Sequence, residues 1–506
     1  MIEYNFGALQ NGSDIRGVAM EVPGGKPVNL GDVATARLAK GFLFWLSNKT
    51  GKKPSEITVS IGRDSRVTGP ELEAAFAYAL IPYGVTVLRA GLASTPAMFM
   101  STVFDQCRCD GAVMITASHL PKERNGFKFF DADGGLNKGD ITDIITFAES
   151  DSILGRLMPV NPGSIEDSNL MELYCAHLRK LITDGVGSGE TPLSGLKITV
   201  DAGNGGGGFY ARNVLEPLGA DVSSSQFLEP DGEFPNHAPN PEDKAAMASI
   251  CSRVKEAGSD LGLIFDTDVD RASAVDENGC EINRNKIVAL AAALIENPSA
   301  DTTVVTDSIT SGHLKDFLES TLNLKHLRFR RGYRNVINKA IELREEGIDA
   351  RLAIETSGHA AYEENYFLDD GAYLATKIVI KTALLHREGN GISSLIADMA
   401  EPAESREIRF PILTDDFSSY ADGVLAAFEE AGNSIDGCSL ASPNYEGIRL
   451  EFTSPEIAGW LLIRKSLHDP IMPLNLESDV SGGVDKMLAL IKPVLDRFEK
   501  LDKSVL

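Results

Sequence analysis

Three apolar runs in the first two thirds of the chain share one pattern, in which a β-rich segment ends in a turn of small and acidic residues. They are ITVSIGRDSR at 57–66, LKITVDAGNG at 196–205 and TTVVTDSIT at 302–310. A segment suited to a helix follows each run, and a second strand signal completes each unit, at 85–91, 220–227 and 325–332. Strands that alternate with helices of about 10–15 residues are typical of α/β layers. The pattern therefore predicts three similar α/β domains in series.

The chain after about residue 400 lacks this alternation. Its short strand segments EIRFPIL, EGIRLEF and GWLLIRK are interrupted by one helical segment and followed by a final helix, VDKMLALIKPVLDRFEKL. Strands and helices in this arrangement predict a small α+β domain. We therefore expect four domains, at 1–160, 161–280, 281–400 and 401–506.

The composition is that of a globular protein and limits its partners. The chain has 506 residues, and 48 Lys plus Arg against 73 Asp plus Glu leave a formal charge of -25. This charge repels nucleic acids and anionic membranes, so we expect neither as a partner. The same field repels phosphorylated small molecules, so a phosphate site in this chain must be a local cluster of cations.

Cysteine content and hydropathy predict a cytoplasmic protein. Six cysteines are too sparse for a disulfide scaffold, so we expect reduced thiols. The opening segment lacks the basic and apolar regions of a signal peptide. The longest apolar run, at 287–295, is far shorter than the roughly 18–20 residues of a membrane span.

The strongest chemical feature is the segment GLIFDTDVDRASAV at 262–275. In it Asp266, Asp268 and Asp270 recur at every second position after an apolar run. Three converging carboxylates repel one another unless a cation lies among them, and hard oxygen ligands select Mg²⁺ or Ca²⁺. An EF-hand is excluded because Arg271 stands where its loop needs glycine. A solvated acidic loop remains the alternative, and Arg271 suits a phosphate contact beside the metal.

A second polar turn lies in the segment GAVMITASHLPKERNGFKFF at 111–130. Its apolar run leads into an exposed turn in which Ser118 is a candidate nucleophile. His119 and Lys128 are near enough in sequence to act in proton transfer. The alternative is a turn serine that only bonds the backbone.

A third polar turn, in RLAIETSGHAAYEENYFLDDGAYLA at 351–375, contains Glu355, Thr356, Ser357 and His359. A carboxylate, two hydroxyls and an imidazole at a strand end suit recognition of sugar hydroxyls. The alternative is a loop whose polar groups cap a helix.

A fourth turn, IRKSLHDP at 463–470, concentrates positive charge. Arg464, Lys465, Ser466 and His468 place cations and a hydroxyl within five residues, as a phosphate site requires. A solvated basic turn is the alternative.

In this order, the four turns resemble those of the α-D-phosphohexomutase family, which includes phosphomannomutase/phosphoglucomutase and phosphoglucosamine mutase. The segments TASHLP, DTDVDR, ETSGH and RKSLHDP are similar to the family's phosphoserine, metal, sugar and phosphate loops. SDIRG at 13–17 and GRDSR at 62–66 are similar to two further family segments. The resemblance spans nearly the whole chain and implies three related α/β domains and a smaller fourth domain around a central cleft.

The resemblance also implies a reaction and its residues. Phosphate would move between C1 and C6 of glucose or mannose phosphates through a phosphorylated Ser118, with hexose 1,6-bisphosphate as intermediate and activator. Mg²⁺ would be bound by Ser118, Asp266, Asp268 and Asp270. The proton-transfer or orienting groups implied are Lys128, His119, His359, Arg16 and Arg271. The substrate-binding groups implied are Arg330, Glu355, Thr356, Ser357, His359, Arg464, Ser466 and His468.

Four positions depart from the family pattern, namely Leu120, Thr267, Leu467 and His468. Thr356 occupies the family's variable position in the sugar loop and does not select among mannose, glucose and glucosamine phosphates. Two alternatives to a glucose or mannose phosphate mutase therefore stay open, a phosphoglucosamine mutase and a catalytically silent sugar-phosphate-binding relative. The presence of Ser118 and Lys128 argues against the silent relative, because binding alone needs neither.

Overall fold

Four β-sheets organise the part of the chain that the structure, a computed structural model, describes, namely residues 5–187, 189–466 and 469–506. The chain divides into two compact units. Unit 1 comprises Met1–Ile287 with Ser357–Leu395, and unit 2 comprises Val288–Thr356 with Ile396–Leu506.

The first sheet of unit 1 holds the serine turn between two buried strands. Its strands are β1 Gln10–Asn11, β2 Asp14–Val18, β3 Thr58–Arg63, β4 Thr86–Leu92, β5 Gly111–Ile115, β6 Arg124–Asp131, β7 Gly134–Gly135 and β8 Ile165–Asp167, and its helices are α1 Asp32–Thr50, α2 Gly69–Leu80, α3 Thr95–Met100, α4 Lys138–Glu149 and α5 Asp151–Leu154. The strand order is β1-β2-β6-β5-β3-β4-β8, with β3 parallel to β4 and β5. All five residues of β5 are buried, as expected of a central strand covered on both faces.

The second sheet of unit 1 carries the acidic turn. It contains β9 Ile198–Asp201, β10 Leu261–Phe265, β11 Ala272–Val275 and β12 Glu281–Ile282, and helix α7 Lys244–Ala257 follows Asp243, which caps it. β9 and β10 are parallel, whereas β10 and β11 form an antiparallel pair. The residues from Asp266 to Arg271 therefore make a tight connection between two fully buried strands.

The predicted strand at 220–227 is wrong. This segment makes only isolated bridges, at Asp221 and Gln226. The Ser223 N–H donates to the Asp221 side chain and the Ser225 N–H donates to the Val222 carbonyl, so local turn bonds interrupt the ladder between these two bridges. The helix expected after 206 is also irregular, with a π-helical turn at Tyr210–Leu215 and a 3₁₀ turn at Glu216–Leu218.

Two helices and a hairpin complete unit 1. The hairpin is β16 Ala360–Tyr362 with β17 Leu368–Asp369. The helices are α6 Leu170–Val186 and α11 Gly371–Arg387. The Tyr174 hydroxyl on α6 donates to Asp370, which caps α11, at 2.7 and 2.8 Å.

Unit 2 combines a parallel α/β segment with the C-terminal domain. The parallel segment has β13 Thr303–Thr306 between β14 Lys325–Arg328 and β15 Ala350–Ile354, with α9 Gly312–Asp316 and α10 Tyr333–Glu345. Helix α8 Asn285–Ala293 runs across the unit boundary. The C-terminal domain has β18 Glu404–Pro411, β19 Cys438–Leu440, β20 Ile448–Phe452, β21 Gly459–Ile463 and β22 Ile471–Ser478, with α12 Phe417–Gly432 and α13 Gly483–Leu495.

Three α/β domains and a C-terminal α+β domain are confirmed. The C-terminal sheet is antiparallel, in the order β18-β22-β21-β20-β19. The sequence analysis missed β22, which lies inside this sheet although it contains Pro473, because proline is unfavourable in a central strand. Within the described residues, no helix has the length and apolar composition needed to cross a membrane.

Candidate active site

The serine turn follows β5 and places Ser118 against the acidic turn. The turn is exposed at His119 and Pro121, as expected, but Ser118 itself is only 9% exposed because Asp266 and Arg271 cover its side chain. Its Oγ donates to Asp266 Oδ2 at 3.1 Å and accepts from Arg271 Nη2 at 3.2 Å. Its φ of 49° lies in the left-handed region. The hydroxyl therefore sits between a carboxylate and a guanidinium.

The three aspartates of the acidic turn converge as the sequence predicts. Carboxylate oxygens of Asp266, Asp268 and Asp270 lie within 4.8 Å of one another, and all three side chains are buried. Lys128 Nζ donates to Asp268 Oδ2 at 2.9 Å and also to Asp270 Oδ2. Arg271 Nε donates to Asp266 Oδ2 at 3.1 Å. Two cations thus face three carboxylates.

The pKa values of two of these carboxylates are shifted in opposite directions. Burial, together with the charges of Asp270 and Asp268, raises the pKa of Asp266 well above its usual value. Burial also acts to raise the pKa of Asp270, but the charges of Lys128, His359 and Arg271 together outweigh it and the pKa is lowered. Burial and the neighbouring negative charges therefore disfavour the ionised form of Asp266, and an incoming cation would favour it.

The acidic turn fits a divalent cation by the chemistry of its donors. Among the described residues, no group donates a hydrogen bond to Asp268 Oδ1 or Asp270 Oδ1, although both atoms are buried. Buried carboxylate oxygens without partners are costly unless a cation binds them. Hard cations such as Mg²⁺ and Ca²⁺ take such oxygen ligands.

His359 reaches the same group from the hairpin side of unit 1. Its Nδ1 lies 2.6 Å from Asp369 Oδ2 and 4.0 Å from Asp270 Oδ1. Burial lowers the pKa of His359, but the charges of Asp369 and Asp270 outweigh burial and raise it to about 9. At neutral pH His359 is therefore an imidazolium.

His119 and Arg16 contact the turn in different ways. Arg271 Nη2 donates to His119 Nδ1 at 2.6 Å, and the Arg271 charge lowers the pKa of His119 to about 2. His119 is therefore neutral and accepts a hydrogen bond. Arg16 Nη1 donates to the Thr116 carbonyl at 2.5 Å and Nη2 to Asp14 at 2.8 Å, so Arg16 orients the turn through its backbone.

The sugar-loop residues fall in both units, because the boundary lies between Thr356 and Ser357. In unit 2, Thr356 Oγ1 donates to Asp307 Oδ2 at 2.9 Å, and Glu355 Oε1 accepts the Gly332 N–H at 2.7 Å. Burial and the charge of Glu355 raise the pKa of Asp307 to about 7. Ser357, in unit 1, is buried.

Three arginines lie at or near the predicted substrate-binding positions of unit 2, and one of them, Arg331, was not predicted. Arg330 is exposed, and its Nε donates to the Tyr445 carbonyl at 3.1 Å. Its neighbour Arg331 forms an ion pair with Asp307, with Arg331 Nε 3.5 Å from Asp307 Oδ2. Arg464, at the end of β21, is buried, and burial with the charge of Arg331 lowers its pKa. Arg331 therefore lies closer than Arg330 to the charges around Asp307.

The remaining phosphate-loop residues are only partly described. Within the described residues, Arg464 Nε is buried and has no hydrogen-bond acceptor. The Ser466 N–H donates to the Ile471 carbonyl at 3.1 Å, and the Ser466 Oγ accepts the Asp469 N–H at 3.3 Å. His468 lies outside the described residues. We name Asp307, Arg331, Glu355, Thr356 and Arg464 the recognition cluster.

Family comparison identifies the fold domain by domain. Models of the phosphoglucomutase/phosphomannomutase alpha/beta/alpha domains I, II and III match residues 8–151, 172–279 and 283–402. The chain belongs to the phosphoglucomutase/phosphomannomutase family. This confirms the predicted resemblance, and the protein is accordingly a phosphohexomutase, an intramolecular phosphotransferase.

Individual relatives of this phosphohexomutase agree over most of the chain. A phosphomannomutase/phosphoglucomutase of Pseudomonas syringae pv. tomato is 29% identical over 88% of this chain and 89% of its own length. A probable phosphoglucosamine mutase of Methanosarcina barkeri is 30% identical over 89% of this chain and 92% of its own length. The crystal structure of a family protein from Burkholderia thailandensis is 25% identical, with a TM-score of 0.76 over 97% of this chain and 98% of that one.

The structure of this phosphohexomutase also reveals site residues that sequence reasoning missed. Thr95, at the start of α3, donates from Oγ1 to Asp268 Oδ2 at 2.5 Å and from its N–H to the Asp268 carbonyl at 2.8 Å. Asp369 holds His359, and Asp307 and Arg331 join the recognition cluster. The sequence did contain a signal for Asp307 as a site residue, because Asp307 directly follows a buried strand, as Asp266 does.

Proposed function

We propose that the enzyme transfers phosphate reversibly between C1 and C6 of a hexose phosphate, of glucose, mannose or both, through a phosphorylated Ser118 and a hexose 1,6-bisphosphate. One observation carries this proposal. Ser118 Oγ lies 3.1 Å from a carboxylate of the acidic turn and 3.2 Å from Arg271 Nη2, so a phosphoryl group on it would face both a cation-binding group and a guanidinium. The names of the relatives support the same reaction.

We propose Mg²⁺ as the cofactor, held by Asp266, Asp268 and Asp270 together with the phosphorylated Ser118. When bound, the ion would offset the negative charge that the phosphoryl oxygens carry during transfer. Hexose 1,6-bisphosphate would serve as the activator because it can return a phosphoryl group to a dephosphorylated Ser118.

The chain's own residues divide the remaining work in unit 1. Arg271 Nη2 is placed to donate to a phosphoryl oxygen on Ser118 and so to offset its charge. His359, protonated at neutral pH, can donate to a sugar oxygen as that oxygen leaves. Lys128 remains the predicted base: after its ammonium group has lost one proton to solvent, Lys128 Nζ can accept the proton of the attacking hydroxyl. Arg16 and His119 support the turn and the Arg271 guanidinium through hydrogen bonds.

Sugar and phosphate recognition would use the sugar and phosphate loops. Glu355 and Ser357 offer acceptors and donors to sugar hydroxyls, as does the side chain of Thr356. Arg464 and Ser466 would hold the phosphate that is not transferred, and the unsatisfied Arg464 Nε supports this assignment. Arg330 remains a predicted substrate contact, and His468 remains a predicted contact of the phosphate that is not transferred. Of the two adjacent arginines, Arg331 is better supported as a substrate contact than Arg330, because Arg331 forms an ion pair with Asp307.

A phosphoglucosamine mutase is the second candidate. The relative from Methanosarcina barkeri carries that name at 30% identity, close to the value for the phosphomannomutase/phosphoglucomutase relative. Both candidates use the same chemistry and differ only in the substituent at C2 of the sugar.

One experiment tests the reaction and ranks the sugars. Purified protein with Mg²⁺ and a trace of glucose 1,6-bisphosphate is given glucose, mannose or glucosamine 1-phosphate in parallel, and phosphorus NMR follows the 6-phosphates. Ser118→Ala should abolish conversion, whereas Ser152→Ala, at an exposed serine, should leave it unchanged. No conversion of any sugar by wild-type protein whose Ser118 is phosphorylated would refute the proposal.

We also propose a cytoplasmic location and hexose phosphates as the binding partners. All six cysteines are free thiols, as expected in a reducing compartment. The formal charge of -25 opposes binding to nucleic acid or to an anionic membrane surface.

A further inference from the structure

The side chain of Arg66 is fully buried and gathers the carbonyl groups of the serine turn. Its Nη2 donates to the Ser118 carbonyl and, at 2.6 Å, to the Leu120 carbonyl. Its Nη1 donates to the Pro121 carbonyl at 2.8 Å and to the Arg124 carbonyl at 3.0 Å. One guanidinium thus binds four carbonyl oxygens of a single turn.

Asp64 fixes this guanidinium and extends the network to Thr116. Asp64 Oδ2 lies 3.2 Å from Arg66 Nε, and Asp64 Oδ1 accepts the Arg66 N–H at 2.9 Å. Thr116 Oγ1 donates to Asp64 Oδ2 at 2.7 Å and accepts the Ser118 N–H at 2.8 Å. Both the N–H and the carbonyl of Ser118 are therefore held by this network.

Ser118 needs such support because its backbone conformation is unfavourable. A non-glycine residue with a φ of 49° is costly and persists only when its surroundings impose it. The conformation also fixes where Cβ points, and so keeps Oγ between Asp266 and Arg271. A planar guanidinium presents donors along two edges, which a lysine ammonium cannot reproduce.

We propose that Arg66 and Thr116 are positioning residues, which fix the backbone of Ser118 so that its oxygen stays aligned for phosphoryl transfer. The inference rests on the proposed function, in which Ser118 carries the phosphoryl group. Neither side chain hydrogen-bonds to Asp268 or Asp270 in the described residues, and neither is among the groups proposed to bind sugar or phosphate, so substrate binding does not depend on them directly. Their loss should reduce kcat and leave KM unchanged.

The first test replaces Arg66 by lysine, which keeps the charge beside Asp64 but loses most of the four bonds. A displacement of about 1 Å at a reacting atom lowers rates by about 100-fold. We expect kcat of Arg66→Lys to fall by about 30- to 100-fold and KM for glucose 1-phosphate to stay within about twofold. Arg108→Lys, at an exposed arginine of the same unit, is the matched control and should behave as wild type.

The second test uses two substitutions at Thr116, one that keeps its shape without the hydroxyl and one that keeps the hydroxyl without the methyl group. Thr116→Val removes the hydroxyl that accepts the Ser118 N–H, and we expect kcat to fall by about 10-fold. Thr116→Ser keeps the hydroxyl and should restore kcat to within about twofold of wild type. Single-turnover phosphorylation of Ser118 by glucose 1,6-bisphosphate, followed by intact mass, should slow in Thr116→Val by a similar factor.

The outcomes separate the inference from the proposed function. A folded Arg66→Lys protein with wild-type kcat, or one in which only KM rises, would overturn the inference. If Arg66→Lys does not fold, the Thr116 pair decides, and equal kcat values for valine and serine would overturn it. Full activity of Ser118→Ala in the same assay would instead refute the proposed function, and the inference with it.

Discussion

Replacing Asp369 by asparagine removes the negative charge that keeps His359 protonated. The Asp369 carboxylate lies 2.6 Å from His359 Nδ1, whereas the next carboxylate, that of Asp270, is 4.0 Å away. An asparagine of the same shape can still accept a hydrogen bond there but contributes no charge. The substitution therefore changes the pKa of His359 and little of its position.

The size of the effect follows from the two opposing influences on His359. Burial lowers its pKa, and the two carboxylates raise it to about 9. Without the nearer carboxylate we expect a pKa at or below about 6.5, the unperturbed value. At pH 7.5 the protonated fraction then falls from nearly complete to about one tenth. If protonated His359 acts as the acid, kcat at pH 7.5 falls at least about 10-fold.

The sign of the pH dependence makes this prediction specific. In the wild type, kcat should stay level and decline only as the pH rises through about 9. In Asp369→Asn, that decline should move to about pH 6.5, and kcat at pH 6 should recover to within about twofold of wild type. Folding raises the pKa of His359. The protonated ring therefore stabilises the folded state fully below about pH 6.5, and this stabilisation is lost as the pH rises through about 9.

The assay is kcat against pH from 5.5 to 9.5, with carbon-detected NMR titration of the histidine rings as a direct measure of protonation. Asp479→Asn is the matched control, since Asp479 Oδ1 lies 2.7 Å from Nε2 of the more exposed His313. This control should leave the kcat profile unchanged. An Asp369→Asn profile that superimposes on wild type would refute the acid role of His359.

Three further predictions concern phosphate binding, metal binding and packing. Arg464→Ala should raise KM by about 10- to 100-fold with little change in kcat, measured by steady-state kinetics, because the phosphate contact exists in ground and transition states alike. Chelation of divalent cations should abolish turnover, and Mg²⁺ at about 100 times its Kd should raise the unfolding free energy by about 2.7 kcal/mol, read as a rise in Tm. Gly126→Ala should destabilise by about 3 kcal/mol in thermal unfolding, because its Cβ would lie 2.0 Å from the Ile15 carbonyl oxygen, whereas Gly139→Ala, with open space around it, should be neutral or stabilising.

The sequence predicts the strand ends of the site well, because a buried strand is a continuous apolar run that can be recognised from neighbouring residues alone. β5 and β10 are continuous apolar runs, and the structure buries every residue of both. Polar residues directly after such runs must lie at the sheet edge, as Ser118 and Asp266 do. The helix-like segment after 206 was harder, because a run of glycines has no apolar period to follow.

The side chains that orient the site could not be read in the same way, because they are distant in the chain. Arg66 lies 52 residues from Ser118, and Thr95 lies 173 residues from the aspartate that it contacts. Nothing in their own segments marks these partners, since only the folded sheets bring them together. Asp369 illustrates a second reason, because its role depends on a single hydrogen bond to His359.

The overall charge of -25 does not describe the local charges by which the site can attract a phosphate. In the acidic turn, three carboxylates and the cations Lys128 and Arg271 sum to -3 + 2 = -1. A divalent ion adds two positive charges to this sum, so the same residues attract a phosphoryl group more strongly with the ion than without it. Metal binding therefore makes the local field at Ser118 more favourable to a phosphoryl group, whatever the sum over the whole chain.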